Sequence, residues 1–240
     1  MNCDKRLIVA LDFHHMEKVQ QLVEQLGDSV SYYKVGMELF YSVGSQVIAY
    51  LRQQNKDIFL DLKLHDIPNT VGHGLTTLTQ LGASMLNVHA SGGFAMMQTA
   101  ATAVKTKAIE LQVERPKLIA VTILTSMNTD EWSKLAYNVD LSQQVIHLAQ
   151  LAQKAGMDGV VASPQEAAQI RAVCGSEFII VTPGIRPSGV AVNDQSRIAT
   201  PAGAIKNGAH HLVIGRPITM AENPRQAVEE ILLEMRNMHD

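Results

Sequence analysis

Short apolar runs rich in β-branched residues recur along the chain, at 7–12, 32–37, 57–62, 84–89, 117–124, 159–162, 178–182 and 211–215. Between them the apolar positions change to a spacing of three and four, which lines one face of a helix. Residues 16–26 are an example: Met16, Val19, Leu22, Val23 and Leu26 fall on a single stripe and predict an amphipathic helix. Runs such as Leu118-Ile119-Ala120-Val121 are apolar on both faces, as parallel strands covered on either side must be. Eight βα units, with no repeat or low-complexity linker dividing them, predict an α/β fold: one single-domain (β/α)8 TIM barrel over residues 1–240. An open doubly wound sheet alternates in the same way, but it usually carries a glycine-rich phosphate loop after its first strand. Here that position reads Ala10-Leu11-Asp12-Phe13-His14, whose acidic residue is a poor phosphate cradle.

Composition narrows the classes. The length of 240 residues is close to the usual barrel size of about 250. Hydrophobic residues make up 46%, charged residues 18%, and mean hydropathy is +0.03, values of an ordinary globular chain. A net charge of −3 gives no broad basic field, so nucleic acid is not an expected partner and any anion needs a local site. No stretch approaches the roughly 18 uninterrupted apolar residues of a membrane span, so no membrane partner is expected. Cys3 and Cys174 lie far apart and the first residues lack an apolar export segment, which together predict free thiols and a cytoplasmic location.

Barrel active sites are built where the strands end, so the end of each strand is informative. The first ends at Asp12, the second carries Lys34, the third runs into Asp61-Leu62-Lys63-Leu64-His65-Asp66, and the fourth ends at His89. Alternation sends Asp61 and Lys63 to one side, toward the mouth, and Leu62 and Leu64 to the helical layer. Buried charges are costly alone, so Asp61, Lys63 and Lys34 must neutralise one another in an alternating array. Read by itself, such an array has a structural ion-pair ladder as its competing and less favoured reading.

A second constellation lies near the C-terminal end: Thr182-Pro183-Gly184-Ile185-Arg186-Pro187, then Asp194-Gln195, then Gly215-Arg216-Pro217. The loops after strands seven and eight bind phosphate in many barrels. Gly215 allows close backbone approach, Arg216 supplies a forked cation, and Pro217 is tolerated at a helix start. A plain turn with a solvated arginine is the competing reading, and position in the eighth unit favours phosphate. Residues 184–194 form a loop long enough to close over a ligand, with Gln195 at its far end.

The run Asp61-Leu62-Lys63-Leu64-His65-Asp66-Ile67-Pro68-Asn69-Thr70 resembles the signature of orotidine 5′-phosphate decarboxylases. The resemblance extends over nearly the whole chain, through Val9-Ala10-Leu11-Asp12, Lys34-Val35-Gly36, Leu124-Thr125-Ser126, Thr182 to Pro187, and Gly215-Arg216-Pro217-Ile218-Thr219. It implies conversion of orotidine 5′-phosphate to uridine 5′-monophosphate and CO2, the last step of de novo pyrimidine synthesis, without metal or cofactor. It implies that Lys63 protonates C6, that Asp61 lies beside the substrate carboxylate, and that Lys34 and Asp66 complete the catalytic group. By the same resemblance the whole run Asp61 to Thr70, including Leu62, Leu64, His65, Ile67, Pro68 and Asn69, borders substrate. Asp12 and Lys34 hold ribose hydroxyls, and Thr125 meets the polar edge of the pyrimidine. Pro183 borders the substrate, Gln195, Gly215 and Arg216 take the phosphate, and Arg186 lies near it. A homodimer with shared sites is also implied, Asp66 and Thr70 serving the partner. The resemblance agrees with the chemistry: losing the C6 carboxylate leaves a carbanion the ring cannot delocalise, which a fixed ammonium can both stabilise and protonate. Carboxylate neighbours favour that ammonium form.

Two other functions compete. A Mg2+-dependent sugar-phosphate decarboxylase or aldolase of the same superfamily would share Asp-x-Lys-x-x-Asp, with Glu38 as a conceivable further carboxylate, although Lys34 opposes a divalent ion. A non-catalytic nucleotide-binding barrel would keep the phosphate site and lose the charges. His65, His73 and His89 lack a recognised metal spacing, and His89 at a strand end is the best of them as support for the site. His14-His15 begin a surface loop, His210-His211 precede the eighth strand at the opposite face, Met96-Met97 fill core gaps, and residues 127–140 form a loop with a short helix.

Overall fold

The eight apolar runs become eight parallel strands: β1 (Leu7–Ala10), β2 (Tyr32–Gly36), β3 (Asp57–Leu64), β4 (Met85–His89), β5 (Lys117–Val121), β6 (Gly159–Val161), β7 (Ile179–Thr182) and β8 (His211–Ile214). Each pairs with the next, and β1 pairs with β8, Leu7 opposite Leu212 and Val9 opposite Ile214, so the sheet closes into a barrel. The structure, a computed structural model, describes residues 3–187 and 199–236. The helices in chain order are α1 (Met16–Leu26), α2 (Met37–Val43), α3 (Gln46–Gln53), α4 (Pro68–Thr79), α5 (Gly93–Leu111), α6 (Thr129–Ser133), α7 (Leu141–Lys154), α8 (Ala167–Cys174), α9 (Pro201–Lys206), α10 (Arg216–Thr219) and α11 (Pro224–Arg236).

Strand alternation divides the buried side chains into two cores. Ile8, Ala10, Tyr32, Phe59, Met85, Ile119, Val181 and Val213 fill the barrel interior. Their neighbours, among them Leu7, Val9, Tyr33, Ile58, Leu60 and Val88, face outward into the layer beneath the helices. The stripe on α1 works as its spacing predicts: Val19, Leu22, Val23 and Leu26 are buried. Fully burying one such aliphatic side chain contributes about 1.5–3 kcal/mol. Met96 and Met97 are fully buried and fill the outer core. The division also positions the site: two residues beyond Ala10, Tyr32, Phe59 and Met85 stand Asp12, Lys34, Asp61 and Asn87, on top of the apolar plug.

Several strands stop short of their apolar patterns. β1 ends at Ala10 rather than Asp12, and β5 at Val121 rather than Leu124. The reason is packing: Leu11 stays buried and Ile123 still packs on the outer core after the ladder has ended, so hydrophobicity outlasts strand pairing. His211 opens β8, as the run beginning at 211 predicts, so that of the His210-His211 pair only His210 precedes the strand.

At the opposite end of the barrel, the Arg171 guanidinium donates to the carbonyls of Gly175, Ser176, Phe178 and Gly208 and contacts His210 Nδ1 at 2.7 Å. The Ile180 amide donates to the same His210 nitrogen at 3.1 Å, which makes Nδ1 the acceptor and His210 neutral. Burial, then the neighbouring Arg171, hold His210 below its ordinary value of 6.5, and burial does the same for His211 and His89. Depressed folded values mean that the unfolded chain binds more protons below pH 6.5, so stability is full above that pH and declines as pH falls through it. Carboxylates held low, Asp61 and Asp158 among them, titrate from 3.8 downward and leave the interval between pH 5 and 6.5 to the histidines. Thermal melts from pH 7.5 to 5 are expected to show falling Tm, each 1 kcal/mol costing about 2–4 °C. His210→Asn, whose Oδ1 can accept without titrating, should flatten the slope; an unchanged slope would remove His210 from this role.

Candidate active site

The C-terminal mouth of the barrel holds a linear array of charges. Lys34 Nζ donates to Asp12 Oδ1 at 3.0 Å and lies 3.6 Å from Asp61 Oδ2, while Lys63 Nζ donates to Asp61 Oδ1 at 2.7 Å. Two ammoniums and two carboxylates thus alternate from β1 to β3. Burial pushes the Asp61 carboxyl up, but Lys34 and Lys63 outweigh it and hold Asp61 below the usual carboxylate range. Lys34 mirrors this: burial pushes it down, and Asp61 with Asp12 holds it above its ordinary value. Gly36 makes room for the array, because a Cβ there would sit 2.8 Å from Lys34 Nζ.

Asp61 and Lys63 meet by a route that simple alternation does not give. Leu60 pairs with Leu86 and Leu64 with Val88, so four residues along β3 span two along β4. Lys63 sits within this bulge at φ 52°, a left-handed conformation that costs a residue with a Cβ about 1–3 kcal/mol and gathers at functional sites. Leu62 and Leu64 pack in the outer layer, as their positions predict.

Asn87, in the middle of β4, was not among the sequence-predicted residues. It is 1% exposed, donates through Nδ2 to Asp61 Oδ1 at 2.6 Å, and accepts the Lys63 amide through Oδ1 at 2.8 Å. A polar residue in mid-strand, on the inward face and flanked by apolar Leu86 and Val88, was the signal that could have found it. His89, two residues on, is half-buried and has its ring centroid 5.4 Å from that of exposed His65.

Two adjoining cavities open over the array. One, of about 220 Å³, has Lys34, Asp61 and Lys63 on one side, Phe59, Val161 and Val213 as apolar floor, and Leu124, Thr125 and Ser126 opposite. The other, of about 140 Å³, is bounded by Asp12, Lys34, Gly184, Arg186, Gly215 and Arg216. Lys34, Pro183 and Val213 belong to both walls, so the cavities are contiguous. The first suits a flat ring with polar edges and the second an anion. Arg186 is 7% exposed and donates to the Ile185 carbonyl at 2.9 Å. Gly215 precedes the one-turn α10, with Pro217 in its first turn. Gln195 and Asp194 lie outside the described residues, as does most of the 184–194 loop.

Asp66, Ile67, Asn69 and Thr70 are exposed, with Pro68 beginning α4, and none of them lines either cavity of its own chain. Glu38 pairs with His14 at 3.0 Å, both exposed, instead of joining Asp61. Among the described residues no group of three His, Cys, Asp or Glu side chains could hold a metal ion. No helix is long and apolar enough to cross a membrane, again among the described residues. A further cleft, of about 370 Å³, opens at the other end of the barrel between Lys5, Arg52 and Lys117, remote from the array.

Fold and site together define a (β/α)8 barrel with a lysine–carboxylate array and an adjoining anion-sized cavity at the catalytic mouth. Residues 5–231 match the family model described as "Orotidine 5'-phosphate decarboxylase / HUMPS family", and the chain belongs to that family. A relative from Carboxydothermus hydrogenoformans named orotidine 5'-phosphate decarboxylase is 48% identical over 98% of this chain and 97% of its own length. One of the same name from Pasteurella multocida is 46% identical over 94% of this chain and 95% of its own. The crystal structure of the orotidine 5'-phosphate decarboxylase from Lactobacillus acidophilus superposes with a TM-score of 0.85, at 41% identity, covering 97% of this chain and 100% of that one.

Proposed function

We infer that this chain decarboxylates orotidine 5′-phosphate to uridine 5′-monophosphate and CO2, the last step of de novo pyrimidine synthesis. The observation that carries the reading is the contiguity of the two cavities: a ring-sized space beside Lys63 and Asp61 joined to an anion-sized space beside Arg186 and Arg216. A pyrimidine in the first, with C6 toward Lys63, leaves the 5′-phosphate to the second and the ribose between Asp12 and Lys34.

In the step itself the C6–carboxylate bond breaks, CO2 departs, and the electron pair remains on C6. Lys63 Nζ gives that carbon a proton. Its position against Asp61 is fixed before reaction, so positive charge stands where negative charge develops without reorganisation. Neither a metal nor an organic cofactor enters this scheme. Thr125 meets the pyrimidine edge, and Gly215, Arg216, Gln195 and Arg186 take the phosphate, with Pro183 between.

Asp66 and Thr70 are assigned to a second copy of the chain in a homodimer. Their exposure, with Ile67 66% exposed between them, supports a role outside their own barrel. His65, Pro68 and Asn69 share that rim. The chain is assigned to the cytoplasm as one barrel domain.

Purified protein in EDTA should remove orotidine 5′-phosphate absorbance rapidly and release uridine 5′-monophosphate. Loss that appears only when Mg2+ is supplied, or no loss at all, would sink the reading and return attention to sugar phosphates or to nucleotide binding.

A further inference from the structure

We propose that Asn87 is a positioning residue for the decarboxylation, clamping Lys63 at both of its ends; the inference rests on the reaction assigned above. Its Oδ1 accepts the Lys63 backbone N–H at 2.8 Å, and its Nδ2 donates at 2.6 Å to Asp61 Oδ1, the same oxygen that receives Lys63 Nζ at 2.7 Å. One amide therefore fixes both where the lysine side chain leaves the strand and what its ammonium points toward.

The need for a clamp is visible in the backbone. The register shift between Leu60 and Leu64 takes this part of β3 out of regular pairing with β4, and Lys63 sits at φ 52°, where a residue with a Cβ is unfavourable. Asn87 supplies the hydrogen bond that the interrupted ladder does not. It emerges from β4 at the first inward position above Met85 of the apolar plug, and its own strand remains regular, Asn87 pairing with Ile119. The support for the distorted strand thus comes from an undistorted one.

The chemistry demands an amide. The acceptor must face a backbone donor and the donor must face a carboxylate, so the orientation of the side chain is fixed by its two partners. At 1% exposure neither bond is made in competition with bulk water, and losing the amide leaves a buried donor and a buried carboxylate without that partner. Leucine matches the volume and supplies neither bond. Aspartate keeps the acceptor for Lys63 but turns a carboxylate oxygen toward Asp61, and two carboxylates sharing a site raise one of their pKa values. Once protonated, that aspartate can donate to Asp61 as the amide does.

The test compares steady-state kinetics of Asn87→Ala and Asn87→Asp with wild type across pH 5 to 8, with folding checked by circular dichroism. Asn87→Ala is expected to lower kcat about 10²-fold, the effect of a misplacement of about 1 Å, while KM changes less than about threefold because the phosphate and ring contacts remain. For Asn87→Asp the kcat ratio to wild type should be low at neutral pH and recover as pH falls, a rescue that a purely structural role would not produce. Unchanged kcat in either variant, or a ratio for Asn87→Asp that stays flat across pH, overturns the proposal. The pH ratio stands as a test even if Asn87→Ala fails to fold. An inactive wild type would overturn the decarboxylase reading itself, and this role with it, whereas an active wild type with indifferent variants rejects only the clamp.

Discussion

Lys63→Ala is expected to lower kcat on orotidine 5′-phosphate by about 10⁴-fold or more, since it removes both the proton donor and the positive charge beside C6, effects worth about 10²–10⁴ and 10²–10³ singly. The barrel should still fold. Asp61 keeps Lys34 at 3.6 Å and the Asn87 amide at 2.6 Å, so its carboxylate is not left bare, and a neighbouring lysine still opposes the cost of burial. Far-ultraviolet circular dichroism equal to wild type, together with rapid-quench detection of residual product, separates lost chemistry from lost structure. A variant with more than about a tenth of wild-type kcat would mean that another group protonates C6 and that the general-acid role of Lys63 is wrong.

The same variant also examines the shared site. Asp66 is exposed at the end of the signature run and lines neither cavity of its own chain. If it serves the second copy, a heterodimer of Lys63→Ala and Asp66→Ala chains contains one site with both defects and one with none. Mixing two inactive proteins then restores activity, up to one working site per heterodimer. Failure of co-expressed chains to recover activity, with mixed dimers demonstrated by differential tags, would place Asp66 outside the partner's site.

Much of this arrangement was legible in the sequence because barrel topology turns strand ends into a map. The eight apolar runs all became strands, and Asp12, Lys34, Asp61 and Lys63 came together because each stands above an interior apolar residue or at the end of such a strand. What could not be read is equally physical. Simple alternation predicts Asp61 and Lys63 on one side, whereas the chain brings them together through a bulge and a left-handed lysine, a conformation that no pattern of apolar positions encodes. The position of a strand end does not mark a polar residue in mid-strand; in Met85-Leu86-Asn87-Val88-His89 only the inward parity, shared with Met85 of the apolar plug, distinguishes Asn87. The fifth apolar run extends to Leu124, but β5 ends at Val121, and Leu124, Thr125 and Ser126 follow the strand to line the cavity that also holds the lysines. The exposure of Asp66 and Thr70 has no meaning in an isolated barrel, and the motif alone suggested a partner for them.

Orotidine, which lacks the phosphate, is expected to be decarboxylated with kcat/KM lower by about 10²–10⁴, reckoned from two charge-assisted hydrogen bonds at about 1.5–3 kcal/mol each and 1.36 kcal/mol per decade. The loss should fall on kcat as well as KM. The anion cavity shares Lys34, Pro183 and Val213 with the ring cavity. On the proposed reading, a phosphate held by Arg216 and Gly215 would fix the ribose against Asp12 and Lys34 and thereby set where C6 lies relative to Lys63. Binding energy gained at one end is thus used to align the reacting end, which truncation of the substrate forfeits. Arg216→Ala supplies the complementary measurement: it should weaken turnover of orotidine 5′-phosphate while leaving the slow turnover of orotidine nearly unchanged, because the missing partner is the same in both cases. Equal kcat for the two substrates would mean that the phosphate serves affinity alone, and an Arg216→Ala penalty of the same size on orotidine would mean that this arginine acts on the array and not on the anion.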